Sequence, residues 1–225
     1  MERNPPLPTQ HTAVRESALA TNKVLRNTYL LLSATLAFSA ITAGIALALS
    51  LPHPGLLITL VGYFGLLFAV HKTANSAWGL LFVFALTGFM GYTLGPIIGY
   101  NLKAIPNGHS VVMNAFAITA VAFIGLSAYA IKSGRRFSFM GGFLFVGILT
   151  AFLLGLVAIF FSMPMLSLAV SGMFVLLMSG LILYQTAEII HGGETNYILA
   201  TLTLYVSIFN LFTSLLHLLG FASDD

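Results

Sequence analysis

The chain contains no cysteine, which excludes disulfides, thiol nucleophiles and cysteine-held metal clusters. Charge is almost as scarce. Only 7% of the residues are Asp, Glu, Lys or Arg, where a soluble domain carries roughly 25%. No water-soluble fold covers its surface with so few charges. A removable leader is not expected either. Met1–Asn27 is polar and of mixed charge, and no short apolar stretch with a small-residue cleavage site follows a basic start. The first apolar run therefore reads as a retained signal anchor.

What fills the chain instead is hydrocarbon: 58% of its residues are hydrophobic. They gather into seven runs, Thr28–Ser50, Gly55–Val70, Trp78–Gly95, Val111–Ile131, Phe139–Phe161, Met165–Ile190 and Tyr197–Leu219. A bilayer core about 30 Å thick needs ~20 apolar residues of helix. Gly55–Val70 is short, but its flanks extend it. Of all the charged side chains, only Glu188 falls inside a run. The sequence predicts an all-α integral membrane protein with seven transmembrane helices. Its expected parts are a disordered tail at 1–27, one membrane domain at 28–221 and a short tail at 222–225.

The basic residues predict an orientation. With the N-terminus in the cytoplasm, the inner segments hold Arg3, Arg15, Lys23, Arg26, Lys72, Lys132, Arg135 and Arg136, and the outer segments hold only Lys103. This bias is what the positive-inside rule produces. It accounts for the net charge of +3 without a nucleic-acid partner. Seven spans then place Asp224-Asp225 outside. Leu51-Pro52-His53-Pro54-Gly55 and Ser162-Met163-Pro164 read as tight outer turns, the second making the fifth and sixth helices antiparallel neighbours. Pro96–Ser110 reads as the longest outer loop. Gly95-Pro96 should break the third helix, because proline removes a backbone donor and disfavours helix at the residue before it. Gly88, Gly91, Gly95 and Gly99 on the third helix read as a close-packing face.

The last helix carries Thr203, Ser207, Asn210, Ser214 and His217 at steps of four, three, four and three. They form one polar stripe. Lipid cannot satisfy Asn210, so the stripe must face protein or water. The sixth helix offers Ser171, Gln185 and Glu188. These residues support two readings: interhelical hydrogen bonding, or a partly hydrated cavity between the sixth and seventh helices lined by Gln185, Ser207, Asn210, Ser214 and Glu188. Glu188 lies near the inner interface and is expected to pair with Lys132 or Arg135. Two chemistries are set aside. Gly125-Leu126-Ser127-Ala128 resembles the serine motif of intramembrane rhomboid proteases. However, Ser127 lies near the inner surface and His217 near the outer, roughly 20 Å apart, where a base must come within ~3 Å. His53, His109 and His217 share no ligand spacing and no carboxylate. No catalytic, metal or cofactor site is assigned.

Several blocks carry a family resemblance. They are Lys23-Val24-Leu25-Arg26-Asn27-Thr28-Tyr29, Leu36–Thr42, Pro54-Gly55-Leu56, Lys72-Thr73-Ala74-Asn75, Gly91-Tyr92-Thr93-Leu94-Gly95-Pro96-Ile97, Thr119–Phe123 and, most specific, Ile189-Ile190-His191-Gly192-Gly193-Glu194-Thr195-Asn196-Tyr197-Ile198. In this order they resemble the Bax inhibitor family, and within it the bacterial inner-membrane branch that modulates the membrane protease FtsH. The resemblance covers nearly the whole chain after the tail. It implies a last helix surrounded by the other six, a protease of the FtsH type as partner and a bacterial inner-membrane location. It also implies an alternative, the pH-sensitive calcium leak of other family members, whose sensor is a pair of aspartates on the last two helices. Here those positions are Gln185, in Tyr184-Gln185-Thr186, and Ser207, in Leu204-Tyr205-Val206-Ser207. Two close carboxylates make a proton switch. Gln185 and Ser207 carry no titratable proton and attract calcium weakly, though they could hydrogen-bond to each other.

Overall fold

The computed structural model describes residues 10–223, with side chains from residue 21 onward. Seven helices account for nearly all of it: α1 (Gln10–Ala48), α2 (Leu56–Thr73), α3 (Ala77–Ala104), α4 (Gly108–Ser133), α5 (Met140–Phe160), α6 (Pro164–Ile190) and α7 (Tyr197–Ala222). All seven are long and apolar enough to cross a membrane. In α1 the candidate span is Thr21–Ala48, while the helix itself begins upstream at Gln10. It therefore takes in residues 10–27 of the stretch expected to be a disordered tail. Residues 1–9 and the closing Asp224-Asp225 lie outside the described residues.

Local chemistry sets the turns. Gly55 has φ 86° before α2, Gly134 has φ 59° after α4 and Gly192 has φ 73° after α6. This left-handed backbone costs glycine nothing. Pro164 opens α6 at its first turn, where its missing N–H is no loss. Asn196 caps α7, its side-chain oxygen accepting from the backbone N–H of Ile198 and Leu199 at 2.9 and 3.2 Å.

One expectation is overturned. α3 does not break at Gly95-Pro96 but runs on to Ala104, so the link to α4 shrinks from the expected Pro96–Ser110 to residues 105–107. The reason is tertiary. A Cβ on Gly95 would lie 2.6 Å from Ala46 Cβ and 2.7 Å from the Ala43 carbonyl, one on Gly88 would meet the Phe38 ring at 2.6 Å, and one on Gly91 would overlap the Ser39 carbonyl. Beyond Pro96, a Cβ on Gly99 would lie 3.1 Å from the Leu47 side chain, so the glycine face meets α1 on both sides of Pro96. Away from water, the freed carbonyl gains nothing from unwinding, and transmembrane helices tolerate proline for this reason.

The bundle has a basic end, formed by the α2–α3, α4–α5 and α6–α7 links, and an opposite end. α7 is the most enclosed helix: 61% of its most apolar stretch is buried, against 6% for α2 and 17% for α5. It packs on α1, α3, α4 and α6. α2 leans on α3 and α5 on α6, the latter as the short Ser162-Met163-Pro164 turn requires. Phe64 of α2 and Phe152 of α5 meet edge-on with ring centres 5.6 Å apart. The core is therefore built around the last helix, with α2 and α5 as outer buttresses.

Candidate functional site: the polar contacts of the last helix

Hydroxyls on a buried helix have two outlets, their own backbone or a neighbouring helix. Two members of the sequence-predicted stripe take the first. Ser207, fully buried, donates to the Thr203 carbonyl at 2.7 Å. Asn210, half-buried, donates to the Val206 carbonyl at 2.8 Å. Ser214 is buried. Only His217, at the end opposite the basic loops, reaches another helix, where its Nδ1 lies 2.8 Å from the Ser171 hydroxyl of α6.

Gln185 is buried and its amide nitrogen has no hydrogen-bond partner. The bond that Gln185 and Ser207 could form is not made: Ser207 donates to its own helix and the Gln185 amide nitrogen does not reach its oxygen. Glu188, half-buried, folds its carboxylate back over Gly193, and its carbonyl accepts from the N–H groups of Gly193 and Glu194 at 2.8 and 3.2 Å. The expected ion pair with Lys132 or Arg135 does not occur among the described residues. The helix terminus turns the side chain inward over the loop before it can reach α4. Gly95 and Pro96 lie within α3 rather than at a break.

The contacts that tie α7 to the bundle come mostly from residues the stripe did not include. Tyr205, fully buried, donates to the Thr87 carbonyl of α3 at 3.2 Å, and its oxygen lies 2.6 Å from the Ser39 hydroxyl of α1. With the phenol proton given to Thr87, Ser39 is the donor to Tyr205, and three helices meet in one node. Near the basic end, Thr201 Oγ1 lies 2.7 Å from its own Tyr197 carbonyl and 3.2 Å from the Thr28 carbonyl of α1. At the basic end itself, Asn196 donates to the Ala74 carbonyl at 3.0 Å and the Asn75 side-chain oxygen at 2.8 Å. The Glu194 carboxylate accepts from the Asn196 N–H at 2.7 Å. His191 lies 2.9 Å from the Gly134 carbonyl, joining the α6–α7 link to the α4–α5 link. A recess of about 390 Å³ beside this clasp is walled by Asn75, Ser76, Thr195 and Tyr197.

Sequence reasoning missed the Ser39–Tyr205 and Asn75–Asn196 pairs because their members are far apart along the chain. Asn196 alone carried a signal, as a capping residue ahead of an apolar run. A polar layer near the basic end was equally hidden. Besides Gln185 Nε2, the hydroxyls of Thr28, Tyr29, Ser127 and Thr186 are buried without partners. No group of three His, Asp or Glu able to hold a metal occurs among the described residues.

A groove of about 830 Å³ opens between α1 and α4 down to α7, with Leu36 and Leu47 on one wall, Val112 and Ile124 on the other, and Tyr205 and Phe212 on its floor.

Comparison with known proteins gives a consistent picture. The family model described as "Inhibitor of apoptosis-promoting Bax1" matches residues 21–224. The chain is 54% identical over 212 residues to the Escherichia coli K12 protein named "Modulator of FtsH protease YccA", covering 94% of this chain and 95% of that one. The counterpart from E. coli O6:H1, at the same identity, is named "Inner membrane protein YccA". An uncharacterized protein of Pseudomonas aeruginosa is 53% identical over 202 residues, 90% of either chain.

Proposed function

Because the chain belongs to the Bax inhibitor family, we propose that it is a non-enzymatic regulator of an ATP-dependent protease of the FtsH type in a bacterial inner membrane, with its N-terminus cytoplasmic and its C-terminus outside. The observation that carries this reading is the 54% identity, over almost the full length of both chains, to a protein named for modulating that protease. Two structural features support it. α1 is 39 residues long, ~58 Å at ~1.5 Å per residue and about twice the hydrocarbon thickness, so its N-terminal part stands clear of the membrane at the basic end. An unfoldase pulling from the cytoplasm would find its handle there. Behind that handle sits a body cross-tied through Tyr205, Thr201 and Asn196, which resists extraction. The protease is then occupied without rapid turnover.

The test is deletion of Met1–Ala20, with degradation of a second membrane substrate followed in the same cells. Slowed degradation by the full chain that is relieved by the deletion supports the tail as handle. Inhibition that survives the deletion removes the tail from the mechanism.

One observation favours a hydrated leak path, the unpartnered amide nitrogen of Gln185 in the polar layer near the basic end, a donor that water would satisfy. Against it, Ser207 and Asn210 are already bonded to their own helix. Calcium flux into liposomes separates the two readings. A regulator gives no flux at any pH near neutrality, whereas flux abolished by Asn210→Leu belongs to a channel.

A further inference from the structure

The groove over α7 has a length, a floor and a mouth that together specify what fills it. Its α1 wall runs from Leu36 to Leu47 and its α4 wall from Val112 to Ile124, ~17 and ~18 Å at ~1.5 Å per residue. Half of a ~30 Å hydrocarbon core is ~15 Å. The groove thus spans one leaflet, the one away from the basic loops. Its lining ends near mid-membrane, at Leu36 and Ile124, and farther toward the basic loops the Tyr29 ring of α1 lies against Phe123 of α4 with ring centres 6.0 Å apart. A transmembrane helix needs both leaflets and a width of ~10 Å, so it cannot lie in a slot that ends halfway.

Water is no better an occupant. The polar groups facing the groove are already matched: Ser39 with Tyr205 at 2.6 Å, Tyr205 with the Thr87 carbonyl at 3.2 Å, and Thr119 with the Ala115 carbonyl at 2.7 Å. A dry apolar slot offers water none of the two to four partners it needs. Beyond its outer end lie one imidazole and one ammonium side chain. His109 lies on the same face of α4 as Val112 and Met113, one turn nearer the end, and is exposed. Lys103, exposed in the last turn of α3, is the sole Lys or Arg at this end among the described residues.

We propose that the groove is a binding site for one phospholipid of that leaflet, its acyl chain lying on α7 between α1 and α4 and its phosphate facing Lys103 and His109. The chain replaces protein on the one flank of α7 that α1 and α4 leave open. It ends at the level of Leu36 and Ile124, as a hydrocarbon tail of one leaflet would. This assignment is independent of the protease reading.

The test uses the full chain in vesicles of phosphatidylethanolamine and phosphatidylglycerol, with a trace of phosphatidylglycerol bearing a diazirine in mid-chain. After irradiation, labelled peptides are mapped. The expected result is label on residues 36–47 and 112–124 several-fold above that on the exposed α5 surface at Phe143 and Phe145. Gly44→Leu places its side chain in open space beside the groove and should cut the groove label several-fold. Ala40→Leu on the same wall serves as a second plug. Gly65→Leu, at an equally open glycine outside the groove, should change nothing. Lys103→Gln with His109→Gln should erase the preference for a phosphatidylglycerol probe over a phosphatidylcholine probe. Groove label no higher than on α5, or unmoved by either plug, overturns the site. Peptide-to-peptide cross-links in its place identify a second copy as the occupant and also overturn it. An unchanged headgroup preference in the Lys103/His109 variant overturns the phosphate contact.

Discussion

At the scale of single residues, Tyr205 does more to hold the molecule than any member of the polar stripe. Its hydroxyl gives to Thr87 and takes from Ser39. Polar contacts between helices in a bilayer average ~0.6 kcal/mol and reach ~1.7 at most. Tyr205→Phe should fall toward the upper part of that range, because it strips two partners at once. Unfolding in mixed detergent micelles measures the loss. Ser39→Ala should cost a similar amount, and the double variant should cost clearly less than the sum; strict additivity would mean that the pair is not coupled. Gly91 makes a different kind of contribution. A side chain there would overlap the Ser39 carbonyl and the Thr42 hydroxyl. Gly91→Val must push α1 and α3 apart, and overpacking of this kind costs ~1–3 kcal/mol. Folded yield and thermal unfolding in detergent report it. The stripe at Thr203–His217 was legible from spacing alone, because a polar atom in oil must be sheltered. Which atoms shelter it was not legible. Ser207 and Asn210 chose their own carbonyls, and nothing local distinguishes that outcome from a bond across to α6.

At the scale of elements, the hydrocarbon thickness made the helices readable. Each crossing needs its own long apolar run, and each run ends where charge, proline or glycine becomes affordable at the interface. α3 shows where such reading fails. The rule that proline stops a helix is local, whereas the glycine face that carries α3 through Pro96 works only once α1 is in place. We expect Pro96→Ala to leave the span and stability of α3 essentially unchanged, since the helix is already continuous; a large gain in thermal stability would reveal a strain at Pro96. The start of α7 is the opposite case. Asn196 caps the helix and also ties it to the α2–α3 link through Ala74 and Asn75. Asn196→Ala should cost ~1 kcal/mol for the cap alone, with a further loss from the released link. Asn196→Asp keeps the cap acceptor and gives up the donor, so it should recover only part. Amide hydrogen exchange at Ala77–Leu80 separates the two contributions.

At the scale of the whole molecule, the absence of cysteine makes the topology directly measurable. Single cysteines can be placed without removing any native ones. Ser76→Cys and Ser138→Cys, both exposed at the basic end, should react with an impermeant thiol reagent only in opened vesicles, whereas Ser110→Cys, exposed at the other end, should react in intact cells. Labelling of all three from one side would contradict the alternation of the helices. The number of crossings and the shelter of the last one could be read from the sequence. The lateral groove could not, because it is a gap between elements and no run of residues encodes a gap.

The helix that fills the centre of the bundle is also the last of the seven to leave the ribosome. Until it arrives, Ser39 of α1, the Thr87 carbonyl of α3 and the Ala74–Asn75 turn have none of the α7 partners they hold in the finished protein. The six earlier segments can pair among themselves, α1 with α3 and α5 with α6, but their common centre stays open until α7 arrives, and closing the bundle becomes a late event. Truncated or stalled chains lacking the seventh segment should be conspicuous to the quality control of the membrane, while the completed one locks shut.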